Sequence, residues 1–458
     1  MTFVFYDLET TGISPAFDQP LQFAAIRTDD DFNEIESINI RCRLSPHILP
    51  SPQALIVTGV TPEQLVDPSL PDFFTFTQRI AELTHCWAPA TWVGYNTIKF
   101  DEEMLRQAFY QNLQPNLYTT QSNGNTRFDV LGAVYAAWQR NPGLFEWPVD
   151  EKGAVSFKLD RLAPANGFLD HDAHDALGDV KATIHIARRI AQDDPALWSE
   201  LLAVRDKRQT LQRLESFRPM ELIVRFGGTP RSITGCFCGR SASNGNEVGL
   251  LDLDAAEPGF LIGGSDDAIV KALSASPKVI RAVALNKAPL LFDIREPKPE
   301  HLRKAKMVAG VPGFRTRVGQ ALASRYGTAP DPSFLPVEKQ IYAGFYADSD
   351  RRLLEQFQQA GWDQRRDILR ALQDTRLRQL GRRLLAFHAP GLLSPEEHAQ
   401  FVAFVRERWM APDVRETEWT TLEKAQKELA KLRAVERVDQ RQVDGIATFI
   451  TQREQWLS

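Results

Sequence analysis

FVFYDLET (Phe3–Thr10) is the stretch whose reading decides the fold of this chain. Phe3, Phe5 and Asp7 alternate with Val4, Tyr6 and Leu8, and Gly12 and Pro15 break the run. The segment therefore reads as a buried strand ending in a turn. Side chains two apart on a strand share a face, which sets Asp7 and Glu9 side by side. Val4, Phe5 and Leu8 make the strand interior rather than a solvated end, where such a pair would mean little. Two ionised carboxylates held together inside a protein repel one another, and a cation is the usual way to stabilise them.

Working outward, FAAIRTD (23–29) and ESINIRCRL (36–44) continue as strands and complete an antiparallel meander. Thr61-Pro62-Glu63 is a helix start with proline at the first helical position, and 71–84 continues as helix. TWVGYN (91–96) is a strand into a turn; DEEMLRQAFYQN (101–112) is an amphipathic helix with acids at its start. Leu177, Val180, Ile184, Ala187 and Ile190 fall at helical spacing, and Asp193-Asp194-Pro195 ends that helix. Residues 1–192 thus form an α/β domain with a mixed sheet. A basic helical connector over 196–218 opens a second unit, 193–335, whose stretch 221–295 carries short β-like runs typical of a small barrel or sandwich. Residues 336–458 read as a helical domain.

Three further residues join the acid pair. Asp101 stands at a helix start, where alone it would read as a cap. His174 and Asp179 are five apart, about 140° around an ideal helix. Asp179 therefore sits on the helix with His174 in the loop or first turn before it; His171 lacks this spacing. Four carboxylates and a histidine suit hard divalent cations. Such a set can hold two magnesium ions about 4 Å apart and clamp both oxygens of a phosphodiester displacement. His174 would be the general base for the attacking water. Lys158 in SFKLDRL is a candidate to hold the phosphate, although an isolated lysine is ordinarily a surface residue.

Composition sets the remaining bounds. The 458 residues are too many for one core, and 43% hydrophobic with 25% charged content is that of a soluble globular protein. No run of 18 apolar residues is present, which excludes a helical membrane span, and residues 1–10 do not read as a secretory leader. Cys42, Cys86, Cys236 and Cys238 are too few for a disulfide scaffold, and Cys236-Phe237-Cys238 lacks the second pair a zinc site needs. A reducing cytoplasm fits this usage. The net charge of −5 argues against a nonspecific coat for nucleic acid but not against a local basic groove.

The order Asp-x-Glu, Asp, His-x4-Asp resembles the DEDDh exonuclease superfamily. Within it, YDLETTG, QFAAIRTD, GYNTIKFDEE, SFKLDRLAPANG, AHDALGDVKATI, LNKAPLLF and EKQIYAGFYADSDRRLL are similar to the bacterial exonuclease I family. The resemblance implies a ribonuclease-H-like exonuclease domain, a Src-homology-like β-barrel and a C-terminal helical domain. It also implies magnesium-dependent 3′→5′ degradation of single-stranded DNA to nucleoside 5′-monophosphates, with manganese able to substitute, in repair and recombination. On this comparison Asp7, Glu9 and Asp179 hold the ions, while Asp101 completes the site and His174 is the base. Glu9 and Thr10 lie against the 3′-terminal nucleotide, and Arg106, Lys158, Lys207 and Lys287 touch the strand. Lys158 replaces the family's usual arginine and loses its bidentate fork. Tyr118 is left as the obvious stacking residue, which predicts reduced processivity. The family also binds the acidic tail of single-stranded-DNA-binding protein, and a monomer is expected. The rival readings are an exoribonuclease or proofreading-type nuclease and a catalytically silent single-strand-binding scaffold.

Overall fold

The computed structural model describes residues 2–169, 175–226, 228–255, 257–325, 327 and 331–456. At its centre lies β1 (Phe3–Thr10), flanked by β2 (Pro20–Thr28) and β3 (Glu34–Arg41) on one side and by β4 (Thr91–Gly94) and β5 (Thr126–Asp129) on the other. β1, β2 and β3 run antiparallel, whereas β4 and β5 run parallel to β1, giving the expected mixed sheet.

The alternation along β1 sorts its side chains between two cores. Phe3 and Phe5 pack with Ala24 and Ile26 against Val180, Ile184 and Ile190 of the helix Ala176–Asp193. Val4, Tyr6 and Leu8 face Phe76, Ile80, Met104 and Phe109 of the helices Phe73–Cys86 and Asp101–Gln111. Each fully buried side chain of this size contributes about 1.5–3 kcal/mol, so both faces fix the register. That register sends Asp7 and Glu9 to the face that carries the helix of Asp179.

A second, wholly antiparallel sheet comprises β6 (Met220–Phe226), β7 (Thr229–Arg240), β8 (Glu247–Asp252), β9 (Ile280–Ala284) and β10 (Leu291–Asp293), ordered β10-β6-β7-β8-β9. Among the described residues no pairing joins β9 to β10, and the expected barrel is represented by this five-stranded antiparallel sheet. Helices Pro299–Ala309 and Pro312–Ser324 cover one face instead, packing Val308, Phe314 and Val318 on Cys236, Cys238 and Leu251. Gly239 permits this approach: a Cβ there would lie 2.6 Å from the Arg315 carbonyl. Cys236 and Cys238 are buried free thiols. Two short helices, Pro258–Ile262 and Asp266–Ser274, interrupt the β-rich run and were not foreseen.

Helices of the C-terminal third pack onto the first α/β unit rather than standing apart. Val405, Trp409, Leu422, Leu429 and Ile446 share a core with Leu44, Ile48, Leu55 and Leu65. Leu354, Phe357 and Leu377 do the same with Phe74, Tyr110 and Leu113. At the junction, buried Glu338 accepts hydrogen bonds from Arg383 at 2.7 Å and Arg408 at 2.6 Å. No helix among the described residues is long and apolar enough to cross a membrane.

Candidate active site

Asp7, Glu9 and Asp179 converge, with one ligand oxygen from each lying within 4.8 Å of the others. β1 supplies the first two from adjacent positions on one face. The helix Ala176–Asp193 supplies Asp179 from its first turn. Asp175 caps that helix, accepting a hydrogen bond from the Gly178 amide. The same carboxylate accepts 2.9 and 3.0 Å hydrogen bonds from Gln22 Nε2 on β2 and Arg41 Nη2 on β3. These two contacts tie the start of the helix to the sheet and so set Asp179 opposite Asp7.

Asp101 is 4% exposed and opens the helix Asp101–Gln111, but it makes no cap of the kind a lone aspartate there would suggest. It lies outside the three-carboxylate group, close enough to act on it electrostatically. The next residue, Glu102, fixes the helix start from a buried position. It accepts hydrogen bonds from Tyr6 Oη at 2.9 Å, Thr120 Oγ1 at 3.0 Å and Arg127 Nη1 at 3.1 Å. Tyr6 neighbours Asp7 on β1, so this network couples the strand of Asp7 to the helix that Asp101 opens. The sequence signal for Glu102, a second acid beside Asp101, was present but indistinguishable from ordinary helix-start charge.

The electrostatics follow from crowding. Burial and the neighbouring Asp101, Asp179, Glu9 and Asp175 push the Asp7 carboxyl well above the usual carboxylate range. Burial, with Asp179 and Asp101, pushes Glu9 up to about 9. Asp101 is pushed up to about 8, mainly by burial, against backbone hydrogen bonds that favour its charged form. A metal-free cluster therefore holds protons near neutrality and releases them when a cation binds. Oxygen-only donors, shared burial and mutual repulsion all fit a hard divalent ion.

The remaining predicted residues are placed as follows. His174 lies outside the described residues. Thr10 is buried, its hydroxyl donating to the Gly12 carbonyl at 2.7 Å. Arg106 is engaged within the protein, by Glu103 at 2.7 Å and Glu102 at 3.4 Å, and stacks over Tyr118 at 5.0 Å. Exposed Lys158 lines a cleft of about 740 Å³ with Arg161 and Arg225. Arg225 also lines the adjoining cleft of about 410 Å³ that contains Lys278, Arg281 and Lys287. Ile98 and Ala288 connect that cleft to a third, which holds Arg127, Arg205 and Lys207. Lys158, Lys287 and Lys207 thus each line a separate cleft, the first two clefts sharing Arg225 and the last two sharing Ile98 and Ala288. Tyr118 is not the only aromatic residue near Arg106. Tyr342, 59% exposed, donates to Glu103 at 2.7 Å and lies 3.3 Å from Arg106 Nη1. Its segment also exposes Phe334 and Phe345.

The basic clusters near the chain's later helices are mostly consumed internally. Arg303 pairs with Glu257, Lys304 with Glu300, and Arg317 with Asp266; Arg315 donates to the carbonyls of Val308 and Ala309. Arg365 is buried over Phe74 and Trp362, and Arg376 pairs with Asp374.

Comparison with known proteins converges on one family. The family model described as Exonuclease matches residues 4–187, and the Exonuclease I C-terminal domain matches residues 336–453. Exodeoxyribonuclease I of Escherichia coli (strain K12) is 30% identical over 378 residues, covering 77% of this chain and 78% of that protein. The Haemophilus influenzae exodeoxyribonuclease I is 32% identical over 380 residues, covering 76% and 78%. Among solved structures, Exonuclease I from Methylocaldum szegediense has a TM-score of 0.83 at 27% identity, covering 99% of each chain. Escherichia coli Exonuclease I in complex with a dA16 oligonucleotide also has a TM-score of 0.83 at 27% identity, covering both chains fully. Paired with the carboxylate cluster at the end of β1, these matches place the chain in the exodeoxyribonuclease I family, as an exodeoxyribonuclease.

Proposed function

We propose that this enzyme degrades single-stranded DNA from the 3′ end, releasing nucleoside 5′-monophosphates, with magnesium as the working cation and manganese able to replace it. The observation carrying this reading is the convergence of Asp7, Glu9 and Asp179 within 4.8 Å at the end of the central strand. Support for the substrate comes from relatives solved with oligonucleotides, dA16 and dT13 among them. The units we assign are 1–192 for catalysis, 193–335 for the second sheet with its connector, and 336–458 for the helical cover. DNA repair and recombination in the cytoplasm is the setting proposed for a monomer that also meets the acidic tail of single-stranded-DNA-binding protein.

In this reading Asp7, Glu9 and Asp179 hold the divalent ions. Once bound, those ions would neutralise charge on the phosphoryl oxygens and the leaving 3′ oxygen. The chain's own groups do the rest. His174 accepts the proton of the attacking water, a task suited to imidazole. Asp101 adds a carboxylate at the edge of the cluster, held in place through the Glu102–Tyr6 contact. Glu9 and Thr10, where β1 ends, bound the space for the 3′-terminal nucleotide. Lys158, Lys207 and Lys287, each at the edge of a cleft, are the groups that meet the phosphates, and Arg106 presents Tyr118 and Tyr342 to the bases. Purified protein is to be given 3′- and 5′-labelled single-stranded DNA, duplex DNA and RNA, each with magnesium or EDTA. Magnesium-dependent mononucleotide release from the 3′ end of single-stranded DNA is expected. Equal or greater rates on RNA, or hydrolysis surviving Asp7→Ala at the wild-type rate, would overturn the assignment.

A further inference from the structure

The turn that follows the catalytic strand is held from the far end of the chain. Residues 11–19 are folded around Asp18, whose carboxylate accepts hydrogen bonds from Thr11 Oγ1 at 2.9 Å and the Ser14 amide at 2.8 Å. Gly12 is needed there, because a Cβ would lie 2.5 Å from Asp18 Oδ2. The neighbouring Phe17 is buried, and its ring meets Trp419 with centroids 5.1 Å apart. Arg408 stacks on Phe17 from 5.1 Å and on Trp419 from 5.4 Å while its guanidinium is anchored on Glu338. Trp419 Nε1 closes the group by donating to the Arg408 carbonyl at 2.8 Å. A second strut lies beside it. The Glu428 carboxylate accepts from Ser51 Oγ at 2.7 Å, and the Ser51 amide donates to the Thr11 carbonyl at 2.8 Å.

One strut ends on Phe17 within the turn and the other on Thr11, which follows Glu9 and Thr10 directly. Those two, with Gly12 and Ile13, line a cleft of about 650 Å³ whose opposite wall includes Trp419 and Lys431. We infer that Trp419, together with Arg408, is a positioning residue for the reaction: it braces the 11–19 turn from the C-terminal region, and the turn in turn fixes Glu9, Thr10 and the mouth of the cleft. The inference rests on the functional reading above. It adds that catalysis in the first unit depends on side chains near residue 410, so the C-terminal region does more than enclose the substrate. Trp419 is only part-buried, so its removal is compatible with a folded chain.

Full-length wild type, Trp419→Ala and Trp419→Phe are to be compared on two substrates. One is a single-stranded oligonucleotide; the other is thymidine 5′-monophosphate p-nitrophenyl ester, which fills only the terminal site. Hydrogen exchange of peptides spanning residues 11–19 supplies a readout independent of turnover. For Trp419→Ala a fall in kcat of about 10- to 100-fold on both substrates is expected, the scale set by a misplaced reacting group. Faster exchange in 11–19 should accompany it, and Trp419→Phe should restore most of both. Unchanged kcat on the ester, unchanged exchange in 11–19, or equal loss in the alanine and phenylalanine variants would each overturn the inference. If wild type cleaves neither substrate, the functional reading fails instead, and the exchange data alone decide whether the brace exists.

Discussion

Replacing Glu9 by glutamine should make the metal-free protein more stable while abolishing hydrolysis. In the folded chain the Glu9 carboxyl is pushed up to about 9 from an ordinary 4.5, by burial and by Asp179 and Asp101. A raised carboxyl means that the folded state is penalised relative to the unfolded one wherever the unfolded group is ionised. The penalty is absent below about pH 4.5 and grows by about 1.4 kcal/mol per pH unit until the folded group also ionises. At pH 7 it amounts to about 3 kcal/mol. An isosteric amide removes the charge and keeps the shape. Scanning calorimetry in EDTA at pH 7 should place the first transition of Glu9→Gln about 6–12 °C above wild type, using the usual 2–4 °C per kcal/mol for a unit of this size. The gap should close as pH falls towards 4.5. Adding a divalent cation should raise the wild type and leave the variant nearly unmoved, because binding to the folded state alone stabilises it. A variant that melts at or below wild type in EDTA, with a gap indifferent to pH, would refute the claim that these carboxylates are crowded against one another.

Three other perturbations test separate parts of the structure. Glu338→Gln leaves buried Arg408 and part-buried Arg383 without their counter-charge and should cost about 3–5 kcal/mol in urea unfolding; because the Glu338 carboxyl is held down to about 2 by those arginines, the difference from wild type should narrow as pH falls from 4.5 towards 2. Gly12→Ala forces the Asp18 carboxylate aside and should lower kcat by about tenfold or more, with oligonucleotide binding by fluorescence anisotropy little changed. Tyr342→Ala should do the reverse, weakening binding by about 1–3 kcal/mol for a lost stacking platform while sparing turnover of the minimal ester.

What could be read from the chain beforehand follows a physical rule. β1 was legible because both of its faces are buried, so the period of two is written in apolar residues and an acid pair on that strand stands out. The helix of Asp179 was legible for the same reason, from Val180 to Ile190 at helical spacing. All five strands of the second sheet were legible, but whether their outer edges pair into a barrel was not, because closure depends on which edges meet and that is not encoded in any one strand. The helix Val130–Arg140 went unassigned although its apolar residues are continuous, and β5 before it is only four residues long.

The braces around the catalytic turn mark where local reading stops. Ser51 and Glu428 are 377 residues apart, and Trp409 Nε1 donates to the His47 carbonyl across 362. Nothing in WMAPDVRETEW distinguishes a tryptophan that braces an active-site turn from one that fills a helix core, since both look like an aromatic among charges. Arg408 was equally silent; a buried arginine declares itself only when Glu338 is seen beneath it. The cation-rich segments are silent in sequence too, because only the structure shows that Arg303, Lys304 and Arg317 are paired with Glu257, Glu300 and Asp266. Residues whose role is fixed by the strand or helix they stand on were visible in sequence. Residues whose role is fixed by a partner several hundred positions away were not, and in this enzyme those distant partners hold the turn that follows the strand carrying Glu9.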